Sequence, residues 1–280
     1  MAEVSGLWIY PIKSCRGIEC ETSLLTRDGL AWDRHWMLVD TDGRFLTQRQ
    51  FPGMALIGTA LGDDALSASA PGMSDIEIPL ESDGERVSVT VWRDTCSAID
   101  TGDKVARWFS DVVGVQCRLV AFDGAVPRLS DTDYAGDSGA TSQFSDGFSM
   151  LVVADASLTS LNERLVEKGV APAVMRRFRP NLTIEGLDAF DEDHVHELRT
   201  TSGIVLRIVK PCARCIITTV DPYLGVRDRA GEPLATLNEF RASREHGTVF
   251  GQNAIVIGGA GKRIARGEEK PAPSDPKVWF

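Results

Sequence analysis

The segment KPCARCIITTVDP, residues 210–222, holds two cysteines separated by two residues. Such a Cys-x-x-Cys pair can supply thiolates to a metal, form a redox-active disulfide, or pack as two small apolar side chains. A structural zinc site needs four ligands, and the spacing of Cys15 and Cys20 is unlike that of a zinc knuckle. Thioredoxin-type chemistry needs the pair at the start of a helix, whereas the β-branched stretch IITTV predicts a strand at 216–220. The pair alone therefore leaves functional and structural interpretations equally open.

Basic residues in short loops at strand ends favour a functional interpretation. In a chain of net charge −10, such residues indicate a pocket for a small anion, of which a phosphate is one example. The competing interpretation of any single arginine is ordinary solvated surface charge. The residues concerned are Lys13, Ser14 and Arg16 in YPIKSCRG, Arg34 in WDRHW, and Arg177 and Arg179 in MRRFRPN.

The histidines give a weaker signal. In HVH, the alternation of a strand would put His194 and His196 on one face, where they could bind a metal. Exposed histidines on a strand are more often solvated, so we favour the solvated interpretation.

The elements that must position these residues are mostly short strands. Segments rich in β-branched and aromatic residues alternate with turn signals such as RDG, TDG and SDGE, and TDG at 41–43 predicts a hairpin. Three segments have helical periodicity. The first helix is predicted at 101–114, with Thr101 or Asp103 as its N-cap. The second is predicted at 155–169, with Asp155 as its N-cap and Gly169 as its stop. The third is predicted at 233–243. The pattern predicts a mostly β, α+β protein with a few helices, built of barrels or sandwiches.

The polar segment 122–147 divides the chain. It is rich in Gly, Ser and Asp, and loops of this length usually belong to a site or a linker. We expect it to border the substrate entrance rather than to pack as core. The predicted units are an N-terminal β-domain over 1–122, a second β-domain over 123–267, and a loosely ordered tail over 268–280.

Composition excludes several classes of function. The 280 residues carry 40 acidic against 30 basic side chains, which argues against a general binder of nucleic acid or of anionic membranes. No apolar stretch approaches the roughly 20 residues of a membrane span. Glu3 stands where a signal peptide would be basic, so a cytoplasmic protein is expected. Six cysteines suit a reducing compartment.

Six motifs in this order make the chain similar to a known family. They are YPIKSCRG, WDRHWMLVD, DASLTSLNERL, RFRPNLTIEG, CARCIITTVDP and FGQNAIV, and they extend over roughly residues 1–266. Together they resemble the MOSC family, named for the C-terminal domain of molybdenum-cofactor sulfurase. The resemblance is greatest to members with an N-terminal MOSC β-barrel domain, among them the amidoxime-reducing component and bacterial reductases of N-hydroxylated bases. It implies an N-terminal MOSC β-barrel part followed by a MOSC β-barrel domain.

The resemblance implies a molybdenum–molybdopterin cofactor and gives roles to individual residues. In the reductase branch, the cysteine before the IITTVDP run is the metal ligand, which makes Cys215 both the metal ligand and a catalytic residue. A soft thiolate suits a metal that is already bound by sulfur, and Cys212 then needs no ligand role. Asp221 is a candidate for proton delivery, although we favour its competing role in an Asp-Pro turn. The implied cofactor contacts are Lys13, Ser14, Arg34, Ser157, Arg179, Asn181, Ala213 and Arg214.

The expected function is reduction of an N–OH group to N–H in a small N-hydroxylated substrate, with hydroxylaminopurines as candidates for detoxification. The chain lacks the Cys-x4-Cys-x2-Cys spacing of a plant-type ferredoxin domain. Electrons are therefore expected from a separate protein of the ferredoxin, flavodoxin or flavin-reductase type. Two alternatives stay open: a cofactor carrier or sulfur-transfer accessory without reductase turnover, and a β-protein stabilised by zinc or a disulfide.

Overall fold

The structure, a computed structural model, describes residues 2–268. Apart from Glu268, the predicted tail 268–280 lies outside the described residues. The described part is mostly strand with a few helices, which confirms the predicted fold class.

The strands are β1 (Glu3–Ile9), β2 (Ile18–Glu19), β3 (Thr22–Thr26), β4 (Gly29–Leu30), β5 (Trp36–Val39), β6 (Gly58–Leu61), β7 (Ala65–Ser69), β8 (Ile76–Pro79), β9 (Arg86–Val91), β10 (Asp94–Asp100), β11 (Arg118–Phe122), β12 (Met150–Ala154), β13 (Leu182–Glu185), β14 (Glu197–Arg199), β15 (Val205–Ala213), β16 (Ala242–Ser243), β17 (Gly247–Gly258) and β18 (Arg263–Ala265). The α-helices are α1 (Asp103–Val113), α2 (Thr132–Ala135), α3 (Asp155–Glu167) and α4 (Leu234–Phe240). Five 3₁₀ helices span Pro52–Leu56, Gly136–Ser138, Met175–Arg177, Asp191–His194 and Ile216–Thr219.

The largest sheet joins the two ends of the chain. Its order is β14-β15-β17-β12-β13-β1-β2, with β16 on β17, and only β12 and β13 run parallel. β1 pairs with β13 through a register shift at Gly6, where a Cβ would lie 2.0 Å from the Trp8 ring. Leu7 of β1 pairs with Leu182 of β13, and both belong to one buried core. The first strand of the chain therefore belongs to the sheet of the C-terminal part.

The remaining N-terminal strands form smaller sheets. One has the order β5-β11-β10-β9, another is β6-β7-β8, and a third joins β18 to β3 and β4. The predicted TDG hairpin is present, because Val39 forms an antiparallel bridge with Phe45. A core of apolar side chains under these sheets includes Val105 and Phe109 from α1, as the helical periodicity predicts.

The ends of the helices differ from the expected caps. α1 begins after Gly102, and α3 begins after Ala154, and neither start has a side-chain cap. The N-caps predicted at Thr101 or Asp103 and at Asp155 are therefore wrong. The predicted stop at Gly169 is close to the observed end of α3 at Glu167. Within residues 2–268, no helix combines the length and the apolar character that a membrane span needs.

The strand predicted at 216–220 is instead a 3₁₀ helix, Ile216–Thr219. The Cys215 carbonyl accepts hydrogen bonds from the Thr218 backbone N–H at 3.1 Å and from its hydroxyl at 2.9 Å. The Thr219 hydroxyl donates in the same way to the Ile216 carbonyl at 2.7 Å. Threonine hydroxyls that bond to nearby carbonyls stabilise a turn, and this local bonding overrides the strand propensity of β-branched residues.

The division of the chain by residue number is not a division in space. The predicted boundary at 122 falls at the end of β11, but β1 and β2 lie in the large sheet with β12 and β13. The last described strand, β18, pairs in turn with β3 near the start of the chain. The first 30 residues are thus shared between the two parts.

The segment 122–147 is organised around a buried arginine. The Arg128 side chain donates to Asp94 at 2.7 Å and to the backbone carbonyls of Gln143 at 2.9 Å and Ser145 at 2.5 Å. Phe144 is fully buried and packs against Phe122. The expectation that this segment does not pack as core is therefore wrong for its second half, since one arginine satisfies several loop carbonyls at once and lets the loop fold inward.

Candidate functional site

One cleft collects most of the predicted site residues. It has about 850 Å³ of empty space and lies between the large sheet and the smaller N-terminal sheets. Because β1 and β13 are antiparallel, the loop after β1 and the segment before β13 meet at the same edge. Of the predicted residues, Lys13, Ser14, Arg34, Arg179, Asn181, Ala213, Arg214 and Cys215 line this cleft.

Cys215 lies at the start of the 3₁₀ helix Ile216–Thr219, in extended backbone, with its side chain half-buried in the cleft wall. Arg49 donates from Nη2 to the Cys215 Sγ at 3.3 Å, and its guanidinium also lies 4.8 Å from the Trp92 ring centroid. The contact places a positively charged side chain directly against the Cys215 sulfur. The sequence interpretation missed Arg49, although it is a basic residue in a short loop like those that were singled out.

Cys212 lines the same cleft but has different neighbours. Arg214 donates from Nη1 to the Cys212 Sγ at 2.9 Å and from Nη2 to the Phe178 carbonyl at 2.7 Å. All six cysteines are free, so Cys212 and Cys215 do not form a disulfide here. Within the described part of the chain, no group of three or more His, Cys, Asp or Glu side chains is placed to hold a metal. Among the described residues, the pair is thus part of neither a disulfide nor a cluster of three or more potential metal ligands of these types.

Two arginines of the cleft share the ring of Tyr10. The guanidinium carbons of Arg34 and Arg179 lie 4.3 and 4.2 Å from the centroid of Tyr10. Arg179 donates to the Cys15 carbonyl at 2.6 Å, while Arg34 donates to Asn181 at 3.1 Å. Burial, together with the like charge of Arg34, lowers the pKa of Arg179 to about 10. Two guanidinium groups held together in this way attract an anion.

Three residues of the cleft have left-handed backbone. Ser14, Arg34 and Arg179 have φ values of 68°, 52° and 56°. Such conformations are uncommon for residues other than glycine and are retained where the surrounding structure imposes them, often at functional sites. Here they direct the three side chains toward the cleft that all of them line.

A buried lysine lies close to the Arg34 side of the cleft. Lys13 donates from Nζ to the Phe144 carbonyl at 2.7 Å and to Asp146 at 2.5 Å. Burial lowers the pKa of Lys13, and the Asp146 carboxylate opposes that shift. Asp146 also accepts from Trp92 Nε1 at 3.1 Å. Sequence reasoning did not single out Asp146; its position in the long loop 122–147, which was expected to border a site, was the signal available.

Two predicted site residues lie outside the cleft lining. Ser157 is fully buried within α3, where its hydroxyl donates to Glu192 at 2.7 Å and accepts from the Phe190 N–H at 2.8 Å. A hydroxyl engaged in this way has no free donor for a cofactor phosphate, so the predicted contact from Ser157 finds no support. Asp221 accepts from Arg177 at 2.9 Å and from the Tyr223 N–H at 2.9 Å. This is the Asp-Pro turn geometry that we favoured.

The two histidines also differ from expectation. His194 ends a 3₁₀ helix, and His196 precedes β14, so neither lies within a strand. The alternation that would put both rings on one strand face is absent, and the predicted pairing of the rings on that ground is wrong.

The cleft fits an anionic, sulfur-rich cofactor. Five basic side chains but only one acidic side chain lie among its described lining residues, in a chain of net charge −10. Arg179 Nη2 and Arg214 Nε are buried and have no hydrogen-bond partner among the described residues. Buried guanidinium donors normally have acceptors. A phosphorylated pterin, the cofactor that the family resemblance implies, would supply those acceptors, and the sulfur of Cys215 would be a soft donor of the kind that suits its metal.

Comparisons with known proteins give the family of the chain. The sequence matches the family described as MOSC N-terminal beta barrel domain over residues 1–116 and the family described as MOSC domain over residues 140–269. It is 37% identical over 249 residues to mitochondrial amidoxime reducing component 2 of Rattus norvegicus, covering 85% of this chain and 72% of that protein. It is 36% identical over 248 residues to the Bos taurus component 2 and over 251 residues to the Homo sapiens component 1, with the same coverage. Those relatives are named mitochondrial, and the expected cytoplasmic location of this chain stays a prediction. The matches extend over both domains and most of the length, and the chain therefore belongs to the MOSC-domain family that includes the amidoxime reducing components.

Proposed function

We propose that this protein is a molybdenum-cofactor-dependent reductase of small N-hydroxylated compounds. In the overall reaction, R–NH–OH takes up two electrons and two protons, the N–O bond breaks, and R–NH₂ and water are released. The observation that carries the proposal is the single cleft in which the Cys215 thiol faces a guanidinium and buried arginine nitrogens lack acceptors. The names of the relatives supply the reaction type, and hydroxylaminopurines are the natural substrates that we propose to test first.

The cofactor, when bound, supplies the two-electron chemistry at its metal, and the residues of this chain bind and orient it. Cys215 is the proposed metal ligand. Arg34, Arg179 and Asn181 would hold the phosphate end, because they already form one hydrogen-bonded cluster in the cleft wall. Arg49 would orient the Cys215 sulfur toward the metal through the 3.3 Å contact.

The proposed reaction needs an external source of electrons. We propose a separate electron-donor protein, because the reaction consumes two electrons per turnover. Protein carriers of the ferredoxin, flavodoxin and flavin-reductase types can supply them.

The first experiment separates cofactor binding from turnover. Protein made in a host with intact cofactor synthesis is assayed for molybdenum, pterin and conversion of benzamidoxime to benzamidine with dithionite as reductant. The proposal predicts stoichiometric molybdenum and turnover in the parent protein, no turnover in Cys215→Ala, and substantial turnover in the matched control Cys212→Ala. Molybdenum without turnover in the parent protein would instead support the carrier or sulfur-transfer alternative, and a metal-free protein would contradict both.

A further inference from the structure

Four large apolar side chains are exposed just after Cys215. Ile216, Tyr223, Leu224 and Val226 are 43%, 58%, 67% and 54% exposed. We call residues 216–226 the apolar patch. Single exposed apolar residues are common, but several together on a short segment mark an interaction site more often.

The tip of the apolar patch is held in place by hydrogen bonds. Asp221 accepts from the N–H groups of Tyr223 and Leu224 at 2.9 and 3.0 Å, and its other oxygen accepts from Arg177 at 2.9 Å. Gly225 closes the turn with φ +65°, so near Leu56 that a Cβ would lie 2.8 Å from that side chain. The exposed side chains are therefore presented on a defined turn, which lowers the entropy that a partner must remove on binding.

A basic recess lies beside the apolar patch. Arg16, Arg176 and Arg177 line it together with Tyr223, and no acidic side chain lines it within the described part of the chain. The half-buried Arg16 side chain has no hydrogen-bond or ion-pair partner among residues 2–268. Trp8 Nε1, in the same recess, is buried and equally unpartnered. Arg176 and Arg177 already pair with Glu19 and Asp221, so the Arg16 guanidinium is a donor that remains available to a carboxylate from a partner.

The proposed reaction needs a site at which an electron carrier can bind, and this surface has the properties of such a site. The chain is acidic overall, yet this surface combines apolar side chains with arginines. A carrier must approach the metal closely, and Ile216 is adjacent in sequence to the proposed metal ligand Cys215. Transient redox complexes use small interfaces, in which complementary charge steers the encounter. In a symmetric contact between two copies of this chain, the arginine recess would face an identical recess and bring like charge toward like charge.

We propose that the apolar patch and the arginine recess form the docking surface for a small acidic electron-transfer protein. Two reduced partner molecules dock in succession, and the one-electron oxidation of each supplies the two electrons of the proposed reaction. This inference rests on the proposed function and adds to it the location and the chemistry of the donor. Carboxylates at the rim of the partner would enter the recess, while an apolar part of its surface covers Tyr223 and Leu224.

The test compares two reductants on the cofactor-loaded protein. One is a chemically reduced, acidic [2Fe–2S] ferredoxin, and the other is dithionite, which is too small to need a docking surface. The variants are Leu224→Glu and Arg176→Glu. The matched control is Val166→Glu, since Val166 is 58% exposed on α3, outside the apolar patch. Calorimetric titration with the ferredoxin measures docking without turnover.

Both variants are expected to lower kcat/KM for the ferredoxin about tenfold at low salt and to leave dithionite-driven turnover unchanged. The ferredoxin rate of the parent protein should fall as ionic strength rises. Equal loss with both reductants, or a loss also in Val166→Glu, would overturn the docking surface, as would a parent protein that turns over with dithionite but not with the ferredoxin. If dithionite supports no turnover in the parent protein, the proposed function fails independently of the docking surface. The calorimetric titration still tests docking, because ferredoxin binding that is unchanged in Leu224→Glu would contradict the docking surface.

Discussion

Removal of the Arg179 guanidinium should weaken cofactor retention without unfolding the protein. The substitution Arg179→Met keeps the apolar stem and deletes the charge. In the cofactor-free protein the lost contacts are one hydrogen bond to the Cys15 carbonyl at 2.6 Å and the stacking on Tyr10 at 4.2 Å. Together they contribute about 2–4 kcal/mol.

The same substitution also removes an unfavourable charge. Burial and Arg34 lower the pKa of Arg179 to about 10, which corresponds to roughly 3 kcal/mol of penalty on the charged form. The two effects are of similar size and opposite sign, so the free energy of unfolding of the cofactor-free protein should change by no more than about 1 kcal/mol. The loaded protein loses in addition a charge-assisted bond to the cofactor, about 1.5–3 kcal/mol. That loss weakens retention by about ten- to a hundredfold.

The assay measures molybdenum and pterin per chain after purification, with urea unfolding of the cofactor-free form. Arg176→Met is the matched control, because Arg176 lies three residues away, is 39% exposed, pairs with Glu19 at 3.5 Å and is not among the residues that line the cleft. It should retain the cofactor fully. Full molybdenum occupancy in Arg179→Met, or a loss of several kcal/mol in the cofactor-free protein, would refute this reasoning.

Two further substitutions test the long loop and a buried acid. Arg128→Met removes the side chain that binds Asp94 and the loop carbonyls, so it should lower the free energy of unfolding by about 2–4 kcal/mol and expose residues 122–147 to limited proteolysis. The control Arg86→Met, at a side chain that is 70% exposed, should have neither effect. Unchanged digestion of the Arg128 variant would contradict this prediction. Burial raises the pKa of Glu192 to about 7. The folded protein therefore keeps a proton that the unfolded chain releases near pH 4–5. The free energy of unfolding should fall by roughly 2–3 kcal/mol as the pH rises from that range to 7. Urea unfolding of Glu192→Gln should show a smaller fall, and an equal pH dependence in both proteins would count against a neutral Glu192.

The predictable part of the fold was the part that depends on local patterns. The face of α1 with Val105 and Phe109, the TDG hairpin, and the strand-rich class all follow from periodicity and turn residues. The pairing of β1 with β13 does not, because it joins residues about 175 positions apart and depends on the closed sheet as a whole. Strand propensity did not predict the 3₁₀ helix after Cys215. This helix is stabilised by two threonine hydroxyls that donate to nearby carbonyls, and propensity takes no account of such hydrogen bonds.

The site was predictable where motifs supplied it. The cleft gathers Lys13, Arg34 and Cys215 as the motifs imply. Arg49 and Asp146 could not be assigned from spacing, since each reaches the cleft from a loop whose path is set by tertiary contacts. Ser157 shows the opposite case: its motif position near a helix start implies a cofactor contact, whereas in the structure its hydroxyl donates to the buried Glu192.

The central claim, that Cys215 is the protein ligand of a molybdenum cofactor, is tested most directly by X-ray absorption at the molybdenum edge. Spectra are recorded for the loaded parent protein, for Cys215→Ala and for the control Cys212→Ala, whose sulfur contacts Arg214 instead of Arg49. We predict one sulfur fewer around molybdenum in Cys215→Ala and no change in Cys212→Ala. An unchanged sulfur count in Cys215→Ala, or the same loss in both variants, would contradict the assignment.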